Sequence, residues 1–505
     1  MSDTARHSEI LDPGTPFVTA VRRLAEESPD VVALTDDRGS LTRGELDRRS
    51  NRLARAYAAL GVGEGAFVTV GLPSGSAFIE AVLAVWKLGA TPQPVSSRLP
   101  ARELAAIVDV VRPALVVGLD AGAGAPSVPV GFEPDAALDD GPLPLLVSRW
   151  WKAPTSGGST GVPKVIVGDQ PATADALVPL MPLVRMRPGS TVLVATPLGH
   201  NAGFLWATAG LITGGHVVVM PRFDAERALD LIGRHRVEWA CLVPTELHRV
   251  ARLPERVRAA ADLSSLAVVA TGAAPCPPWL RTFWIDWIGA DRLLEFYAAT
   301  EGQAIVITDG HGWLSHPGSV GRVLVGEIEV RDEDGAVVPD GTVGELWMRR
   351  TAEKSGPYFY LGASPHRDER NFETVGDLGS MRDGWLYLAD RKADMVVVGG
   401  ANVYPAEVES AIEEHPLVVS SCVVGVPDDE YGSVLHAIVQ VSAPVSDEEL
   451  VAHVRERLVR YKVPRTFERT AEPLRDDAGK VRRALLRDRV LAERATTTAE
   501  RRQIP

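Results

Sequence analysis

A segment rich in glycine and hydroxyl side chains carries the clearest chemical pattern in this sequence. It reads Thr155-Ser156-Gly157-Gly158-Ser159-Thr160-Gly161-Val162-Pro163-Lys164. Glycines let the backbone approach an anion, and successive N–H groups in such a turn form an anion-binding nest, to which hydroxyls and a lysine add donors. It is not a Walker loop, because no Gly-Lys-Ser/Thr follows, and a flexible hairpin loop is the competing interpretation. The Pro-Lys pair and an apolar strand predicted at 165–167 favour a phosphate-binding loop.

Other polar residues with chemical potential lie at predicted strand ends and in loops. After one predicted strand, Tyr297 could stack on a flat base, Thr300 could donate to a phosphate, and Glu301 could hold Mg²⁺. Asp377 lies between two glycines and could accept hydrogen bonds from ribose hydroxyls, although Asp and Gly also favour plain turns. Lys480 stands in a polar loop, where a single lysine is nearly always solvated.

Apolar periodicity predicts that strands and helices alternate before residue 120 and again after residue 169. Strand, helix and strand at short spacing indicate parallel sheets with helical crossovers. In the second run the predicted strands are Thr191–Thr196, His216–Met220, Trp239–Val243, Leu266–Thr271 and Leu293–Tyr297.

The pattern changes from about Gly318, where short strands separated by Asp-Gly turns predict a small antiparallel β subdomain. After Arg391 the sequence predicts a compact α+β unit with a helix at Asp447–Arg460. We therefore expect an α/β fold in two domains. Residues 1–390 form a large domain of two packed, mostly parallel sheets plus the β subdomain, and residues 391–505 form an α+β domain.

Composition and charge narrow the class of protein. Lys and Arg number 53 against 66 Asp and Glu in 505 residues, and the net charge of −13 disfavours nucleic acid or an anionic membrane as a partner held by charge. Three isolated cysteines form neither a disulfide framework nor a zinc pattern, and the first residues lack an apolar signal core. We therefore expect a cytoplasmic protein. Charges interrupt the apolar stretches, which predicts no membrane span.

In their order along the chain, these segments resemble the adenylate-forming superfamily of acyl-CoA synthetases, adenylation domains and beetle luciferases. The resemblance extends from about residue 20 to residue 490 and is highly specific. The matched segments are Thr155–Lys164, Thr196–Phe204, Gly272–Pro275, Tyr297–Gly302, Gly376–Gly379, Asp390–Glu409 and Gly479–Arg483. Pro197–Asn201 and Pro221–Asp224 are most similar to the acyl-CoA synthetase branch.

The resemblance implies an ATP-dependent carboxylic acid–CoA ligase that uses ATP, Mg²⁺ and CoA. The acid would first become an acyl-AMP, which the CoA thiol then attacks. The resemblance assigns Ser156 to Lys164 to the β- and γ-phosphates, Thr300 to the α-phosphate and Glu301 to Mg²⁺. It places Tyr297 on adenine, with Gly272, Ala273 and Ala274 on the other face, and Asp377 and Arg391 on the ribose.

The same resemblance implies that the C-terminal domain is a mobile lid. In one orientation Lys480 would bridge the acid and the α-phosphate. After a swing about a hinge at 390–394, Gly399 and Gly400 would leave room for the pantetheine arm of CoA. His200 is matched to a residue that borders the acyl pocket, and a buried structural histidine is the competing interpretation.

A few positions depart from the family pattern. Gly157-Gly158 stand where many members have one glycine, Ala298 replaces a glycine, Gly199 replaces an aromatic residue, and Ala393 replaces a charged hinge residue. One alternative is therefore an enzyme that only transfers a preformed acyl-adenylate to CoA, and another is a stand-alone loader for a carrier protein. A luciferase-like oxygenase and an inactive nucleotide sensor are weaker alternatives.

The sequence constrains the acid only loosely. Weak similarity to ligases for bulky polycyclic acids, with small residues at Ala298 and Ala299, favours a bulky hydrophobic acid. An α-amino acid is disfavoured, because residues 201–206 contain no Asp to pair with its ammonium. Core packing is favoured over pocket lining for the aromatic residues Phe204, Trp206, Trp279 and Trp284. The sequence carries no interface signal, and a homodimer remains an open alternative.

Overall fold

The computed structural model describes residues 12, 14–156, 164–351, 356–428, 430–476 and 479–502. Its helices are α1 (Phe17–Glu27), α2 (Arg43–Ala59), α3 (Ser76–Lys87), α4 (Ala101–Val111), α5 (Asn201–Ile212), α6 (Ala225–His235), α7 (Pro244–Ala251), α8 (Glu255–Ala260), α9 (Pro278–Ile288), α10 (Gly310–Ser315), α11 (Pro405–Glu413), α12 (Asp447–Arg455) and α13 (Arg483–Arg502). Its strands are β1 (Val32–Asp36), β2 (Gly39–Thr42), β3 (Phe67–Val70), β4 (Thr91–Pro94), β5 (Leu115–Val117), β6 (Ser127–Val128), β7 (Thr155–Ser156), β8 (Lys164–Gly168), β9 (Val192–Val194), β10 (Val217–Val219), β11 (Trp239–Cys241), β12 (Val268–Thr271), β13 (Leu293–Tyr297), β14 (Ile305–Asp309), β15 (Gly321–Val325), β16 (Glu327–Arg331), β17 (Gly344–Arg349), β18 (Tyr358–Leu361), β19 (His366–Arg367), β20 (Glu373–Arg382), β21 (Trp385–Arg391), β22 (Val396–Val398), β23 (Ala401–Val403), β24 (Val418–Asp428), β25 (Gly432–Val441) and β26 (Thr466–Thr470).

One large sheet extends across most of the N-terminal part of the chain. Its order is β16-β17-β20-β21-β15-β14-β13-β12-β11-β9-β10-β1-β2, and β19 also pairs with β20. The strands β1, β10, β9, β11, β12 and β13 are parallel, which confirms the parallel run predicted after residue 169. Across the sheet from β13 to the edge strand β16, every pair of neighbouring strands is antiparallel. The predicted β subdomain is therefore hydrogen-bonded onto the parallel sheet rather than being a separate layer.

A second, smaller sheet packs against the first. It is parallel, with the order β4-β3-β5-β6, as the alternation before residue 120 predicts. One apolar core joins the two sheets through the helices between them. It includes Val70 of the small sheet, Val194 of the large sheet, and Phe78 and Phe204 from α3 and α5. The prediction of two packed, mostly parallel sheets is confirmed.

The sequence Thr42-Arg43-Gly44-Glu45 has the Thr-x-x-Glu pattern that predicts a capping box, and helix α2 begins there. The Thr42 hydroxyl accepts the N–H of Glu45, and the Glu45 carboxylate accepts the N–H of Thr42 at 2.8 Å. This reciprocal capping box satisfies two N–H groups that a helix start otherwise leaves without partners.

The C-terminal part of the chain has its own apolar core. Strands β24, β25 and β26 form a sheet covered by α11 and α12, and Val423, Ala437, Ile412 and Leu450 are fully buried there. The helix predicted at Asp447–Arg460 ends at Arg455, so the prediction was too long. The N–H of Arg457 bonds the carbonyl of Val454 three residues back, and such tightening ends an α-helix. The domain boundary near residue 390 stays a prediction.

Among the described residues, no helix is both long and apolar enough to span a lipid bilayer.

Candidate active site

Two neighbouring strand ends of the large sheet bring predicted site residues together. Strands β12 and β13 are parallel, with Thr271 opposite Glu295, so Gly272 and Tyr297 follow at the same edge of the sheet. A Cβ at Gly272 would lie 2.6 Å from the carbonyl oxygen of Phe296, so only glycine fits there. The next residue, Ala273, adopts a left-handed φ of 68°, a strained conformation for a residue with a side chain. Ala274 completes this loop.

The phenol of Tyr297 and the carboxylate of Asp377 are in direct contact. The Tyr297 hydroxyl donates a hydrogen bond of 2.7 Å to Oδ2 of Asp377. Arg391 places its Nε 3.5 Å from the other carboxylate oxygen. Burial, followed by the Asp377 carboxylate, raises the pKa of Tyr297 well above its ordinary value, so the phenol stays a donor. The predicted adenine and ribose residues thus form one hydrogen-bonded cluster.

Glu301, the predicted magnesium ligand, is 7% exposed at the turn after β13. Its Oε1 accepts a 2.5 Å hydrogen bond from the hydroxyl of Tyr360. The ammonium of Lys164, at the end of the phosphate-loop segment, lies 5.2 Å from the Tyr360 ring centre. Strand β18 carries Tyr360 beside β8, so an antiparallel pair fixes this arrangement. Thr300, the predicted contact of the α-phosphate, directly precedes Glu301 and is partly exposed.

The predicted phosphate loop is only partly within the described residues. Thr155 and Ser156 form β7, which pairs with β8, and the Thr155 hydroxyl accepts a 3.2 Å hydrogen bond from Gln93. Gly157, Gly158, Ser159, Thr160 and Gly161 lie outside the described residues. The role of this segment in binding phosphate stays a prediction.

The C-terminal part of the chain brings Lys480 to this site. Gly479 is buried against α7, where a Cβ would lie 2.9 Å from Oγ1 of Thr245. The N–H of Lys480 donates 2.9 Å to the Asp476 carboxylate. Although Lys480 as a residue is exposed, desolvation of its ammonium and then repulsion from Arg391 lower its pKa, while attraction to Asp476 and Glu301 opposes this. The lysine therefore lies within electrostatic reach of the carboxylate of Glu301.

Two further contacts fix this arrangement of the two parts. Arg252 at the end of α7 donates to the carbonyl oxygens of Glu413 and His415, at 3.4 and 3.5 Å. Arg482 pairs with Glu103 of α4 at 2.8 Å. These contacts and Gly479 hold the C-terminal part with its lysine loop facing the nucleotide cluster.

The other predicted lid residues lie in a turn of the C-terminal unit and at the predicted hinge. Gly399 and Gly400 form the turn between β22 and β23, with left-handed φ values of 55° and 85°. The N–H of Gly399 donates to the carbonyl of Tyr431, within the same C-terminal unit. At the predicted hinge, the Asp390 carboxylate accepts the N–H groups of Arg391 and Ala406 at 2.7 and 2.8 Å. Ala393 follows these anchored residues.

His200 and Gly199 stand immediately before α5. His200 has extended backbone at the helix N-cap, without a capping hydrogen bond from its side chain, and is partly exposed. A Cβ at Gly199 would overlap the carbonyl oxygen of Val95, so glycine is required by packing here. The departure at Gly199 is therefore explained by a close backbone approach. Ala298, another departure, is exposed.

Sequence comparison identifies what kind of protein carries this geometry. Residues 21–144 and 154–356 match the model of the AMP-binding enzyme family, and residues 407–480 match the model of the AMP-binding enzyme C-terminal domain. The chain belongs to this family. A feruloyl-CoA synthase from Amycolatopsis sp is 31% identical to this AMP-binding enzyme over 493 residues, which cover 92% of the chain and 97% of the synthase.

Two further relatives of this AMP-binding enzyme are also CoA ligases or synthetases by name. A 4-coumarate–CoA ligase-like protein 9 from Oryza sativa subsp. japonica is 32% identical over 506 residues, 92% of this chain and 91% of the relative. The structure of o-succinylbenzoate CoA synthetase from Bacillus subtilis with its acyl-adenylate intermediate has a TM-score of 0.79 and 25% identity, covering 94% of this chain and 98% of that one. The predicted acyl-CoA synthetase branch of the adenylate-forming superfamily is confirmed. These relatives support acyl-CoA or aryl-CoA ligase activity.

The described part of this AMP-binding enzyme offers few carboxylates that could hold Mg²⁺ at the site. Across the described residues, no group of three or more His, Cys, Asp and Glu side chains is arranged to hold a metal ion. Mg²⁺ does not need such a group, because it commonly binds one or two carboxylates together with substrate phosphates and water. One buried carboxylate at Glu301, facing the phosphate-loop segment, fits that requirement.

Sequence reasoning missed several residues of the site. Tyr360 carried no motif signal, and neither did the buried 2.5 Å ion pair between Arg281 of α9 and Glu295 of β13. Lys152 did have a signal in the sequence, because this lysine interrupts the apolar run from Trp150 to Ala153. Burial lowers the pKa of Lys152 to about 7, and Glu301 opposes that change. The aromatic residues Phe204, Trp206 and Trp284 are buried core residues, as favoured, whereas Trp279 is partly exposed beside Arg252.

Proposed function

We propose that this AMP-binding enzyme converts a bulky hydrophobic carboxylic acid to its CoA thioester through an acyl-AMP intermediate. The observation that supports this most is the placement of Lys480 within reach of Glu301 and Arg391, because it joins the lid to the nucleotide cluster. The names of the relatives add support, since feruloyl-CoA synthase and 4-coumarate–CoA ligase-like 9 refer to aromatic acids. The location of the protein in the cytoplasm and a homodimer stay predictions from the sequence.

The first step joins the acid to the nucleotide. A carboxylate oxygen attacks the α-phosphorus of ATP, a new P–O bond forms, and the bond to the β-phosphate oxygen breaks to release pyrophosphate. Lys480 places a cation where the carboxylate and α-phosphate meet, and Thr300 donates to the α-phosphate. Tyr297, Asp377 and Arg391 hold the nucleoside. Bound at Glu301, Mg²⁺ would supply charge neutralisation at the phosphates.

The second step transfers the acyl group. The CoA thiolate attacks the acyl carbon, the new C–S bond forms, and the bond to AMP breaks, so that AMP leaves. The lid would withdraw Lys480 and present Gly399 and Gly400, whose lack of side chains leaves space for the pantetheine arm. His200, at the start of α5, would border the acyl pocket.

The test supplies purified protein with a carboxylic-acid panel, ATP, Mg²⁺ and CoA, and records pyrophosphate release and thioester mass. Lys480→Ala should lower adenylation at least about 100-fold while ATP binding survives. Arg489→Ala, an exposed ion-paired residue of α13, is the matched control and should retain activity. Absence of thioester from every acid, or an undiminished rate in Lys480→Ala, would contradict the proposal.

A parallel arm separates the alternatives. Synthetic acyl-AMP with CoA is compared with free acid, ATP and CoA, and a pantetheinylated carrier protein replaces CoA in a third reaction. Equal turnover from both CoA routes would remove the idea that the enzyme only transfers a preformed acyl-adenylate. Faster turnover with the carrier protein than with CoA would instead favour the stand-alone loader.

A further inference from the structure

A buried lysine lies beside the site and has no part in the chemistry described so far. Lys152 is 5% exposed, and its carbonyl accepts the N–H of Gly168, which holds the segment next to β8. Three residues later the chain enters β7 and the predicted phosphate loop. The position of Lys152 is therefore fixed by the same strands that position the loop.

The ammonium of Lys152 has spare hydrogen-bonding capacity. Its Nζ donates to Oδ1 of Asn201 and lies 4.4 Å from the ring centre of Trp151. No carboxylate of the described residues forms an ion pair with it. A lysine ammonium has three donors, and a buried cation without a counter-charge is costly. Within the part of the chain that the structure describes, one neutral acceptor and one aromatic ring leave at least one donor available.

A second buried lysine of the same chain shows what a purely structural role looks like. Lys87 is 6% exposed, and its Nζ donates to the carboxylate and carbonyl of Asp47, to Ser50 and to Asn51, at 2.6 to 2.9 Å. That ammonium is fully satisfied and ion-paired. Lys152 is equally buried, but among the described residues its Nζ is neither ion-paired nor fully hydrogen-bonded.

The neighbours of Lys152 place its side chain beside the residues of the candidate site. Asn201 is the first residue of α5 and directly follows His200. The carboxylate of Glu301 is close enough to stabilise the ammonium electrostatically. Lys480 lies in an exposed loop of the C-terminal unit, whereas Lys152 is buried and bonded to the first residue of α5. The reacting carboxylate belongs with Lys480, so the donor of Lys152 remains for another part of the acid.

This inference rests on the proposed ligase function. We propose that Lys152, oriented by Asn201, is a specificity-determining residue that donates a hydrogen bond to a second acceptor oxygen on the acid. The ligand group is an acceptor, because the Lys152 ammonium has three N–H donors and the neutral amine still has two. A keto oxygen, a hydroxyl oxygen or a second carboxylate on an otherwise apolar skeleton meets this requirement. The enzyme then selects oxygenated acids over their unsubstituted counterparts.

Matched acid pairs that differ only in oxygenation test this proposal. The pairs are 4-phenylbutanoate with its 4-oxo derivative, cinnamate with 4-hydroxycinnamate, and octanoate with octanedioate. For each pair, the ratio of kcat/KM is measured for the wild-type enzyme and for Lys152→Met, which keeps the length of the side chain without its donors. In at least one pair the wild type should prefer the oxygenated acid by about 10- to 100-fold, the range of a hydrogen bond to a charged group. Lys152→Met should lose that preference mainly through KM, so that its kcat/KM falls more for the oxygenated acid than for the unsubstituted acid.

Controls separate specificity from folding and from the proposed function. ATP binding by calorimetry and thermal unfolding report whether Lys152→Met is folded, and Lys152→Gln, which retains N–H donors, should keep part of the preference. Lys87→Met should lower the unfolding temperature without changing any ratio. Ratios that are the same in wild type and both Lys152 variants, or a uniform loss for all acids, would overturn the specificity role. Absence of thioester with wild-type enzyme would instead count against the ligase function.

Discussion

The hydroxyl of Tyr297 donates a 2.7 Å hydrogen bond to Oδ2 of Asp377, which lies 80 residues later in the chain. This bond links the end of β13 with β20, and Arg391 approaches the free oxygen of the same carboxylate. The side chains predicted for adenine and ribose are therefore prepositioned by one another.

Loss of the Asp377 carboxylate should weaken nucleotide binding. We expect Asp377→Asn to raise KM for ATP about 10-fold or more, because a hydrogen bond to a charged group is lost. Tyr297→Phe should have a smaller effect, since it removes only the donor that orients the carboxylate. Kinetics with varied ATP provide the measurement, and Asp334→Asn in an exposed turn is the control. Unchanged KM in Asp377→Asn would contradict the ribose role.

Arg252 should stabilise the orientation of the lid that favours adenylation. Its guanidinium reaches two carbonyl oxygens of the C-terminal unit and stacks on Trp279 at 4.8 Å. We expect Arg252→Ala to slow pyrophosphate exchange by about 2- to 10-fold, which corresponds to the loss of one exposed hydrogen-bonded contact. Thioester formation from synthetic acyl-AMP should change less. Arg249→Ala, an exposed residue on the same helix, is the control, and an equal effect on both steps would exclude a selective role.

Glu246 should make the protein less stable as the pH rises. Burial raises the pKa of this carboxyl, which is 3% exposed, from 4.5 to about 8. Between those values the folded protein keeps the proton and the unfolded chain releases it, so the free energy of unfolding falls with increasing pH. Glu246→Gln can still accept the N–H of Val243, and we expect it to raise stability at pH 8 by at least ~1 kcal/mol. Unfolding temperatures at pH 5 and pH 8 test this, with exposed Glu255→Gln as control, and a pH dependence equal in both variants would refute it.

Gly199 should tolerate no side chain. A methyl there would overlap the carbonyl of Val95, and relieving this contact should cost ~1–3 kcal/mol in Gly199→Ala. Gly63→Ala is the matched control, because nothing lies within 4 Å of the position of its Cβ. We expect a lower unfolding temperature only for Gly199→Ala. Two variants of equal stability would show that the backbone can shift without cost.

Local patterns in the sequence determined the elements of the fold and their order. The capping box at Thr42 and the apolar runs of β9 to β13 act over a few residues, so their spacing was sufficient to predict them. The order of the polar segments was sufficient to place the chain in its family. The end of α12 was missed, because it depends on a single tightened turn.

Only the tertiary structure decided which distant residues meet. The antiparallel strands that extend the large sheet, the overlap at Gly199 and the bond of Lys152 to Asn201, 49 residues away, arise from register and packing. The approach of Lys480 to Glu301 further requires that two separately cored units dock in one orientation. Such contacts depend on strands and helices far apart in sequence. The spacing of residues along the chain therefore does not predict them.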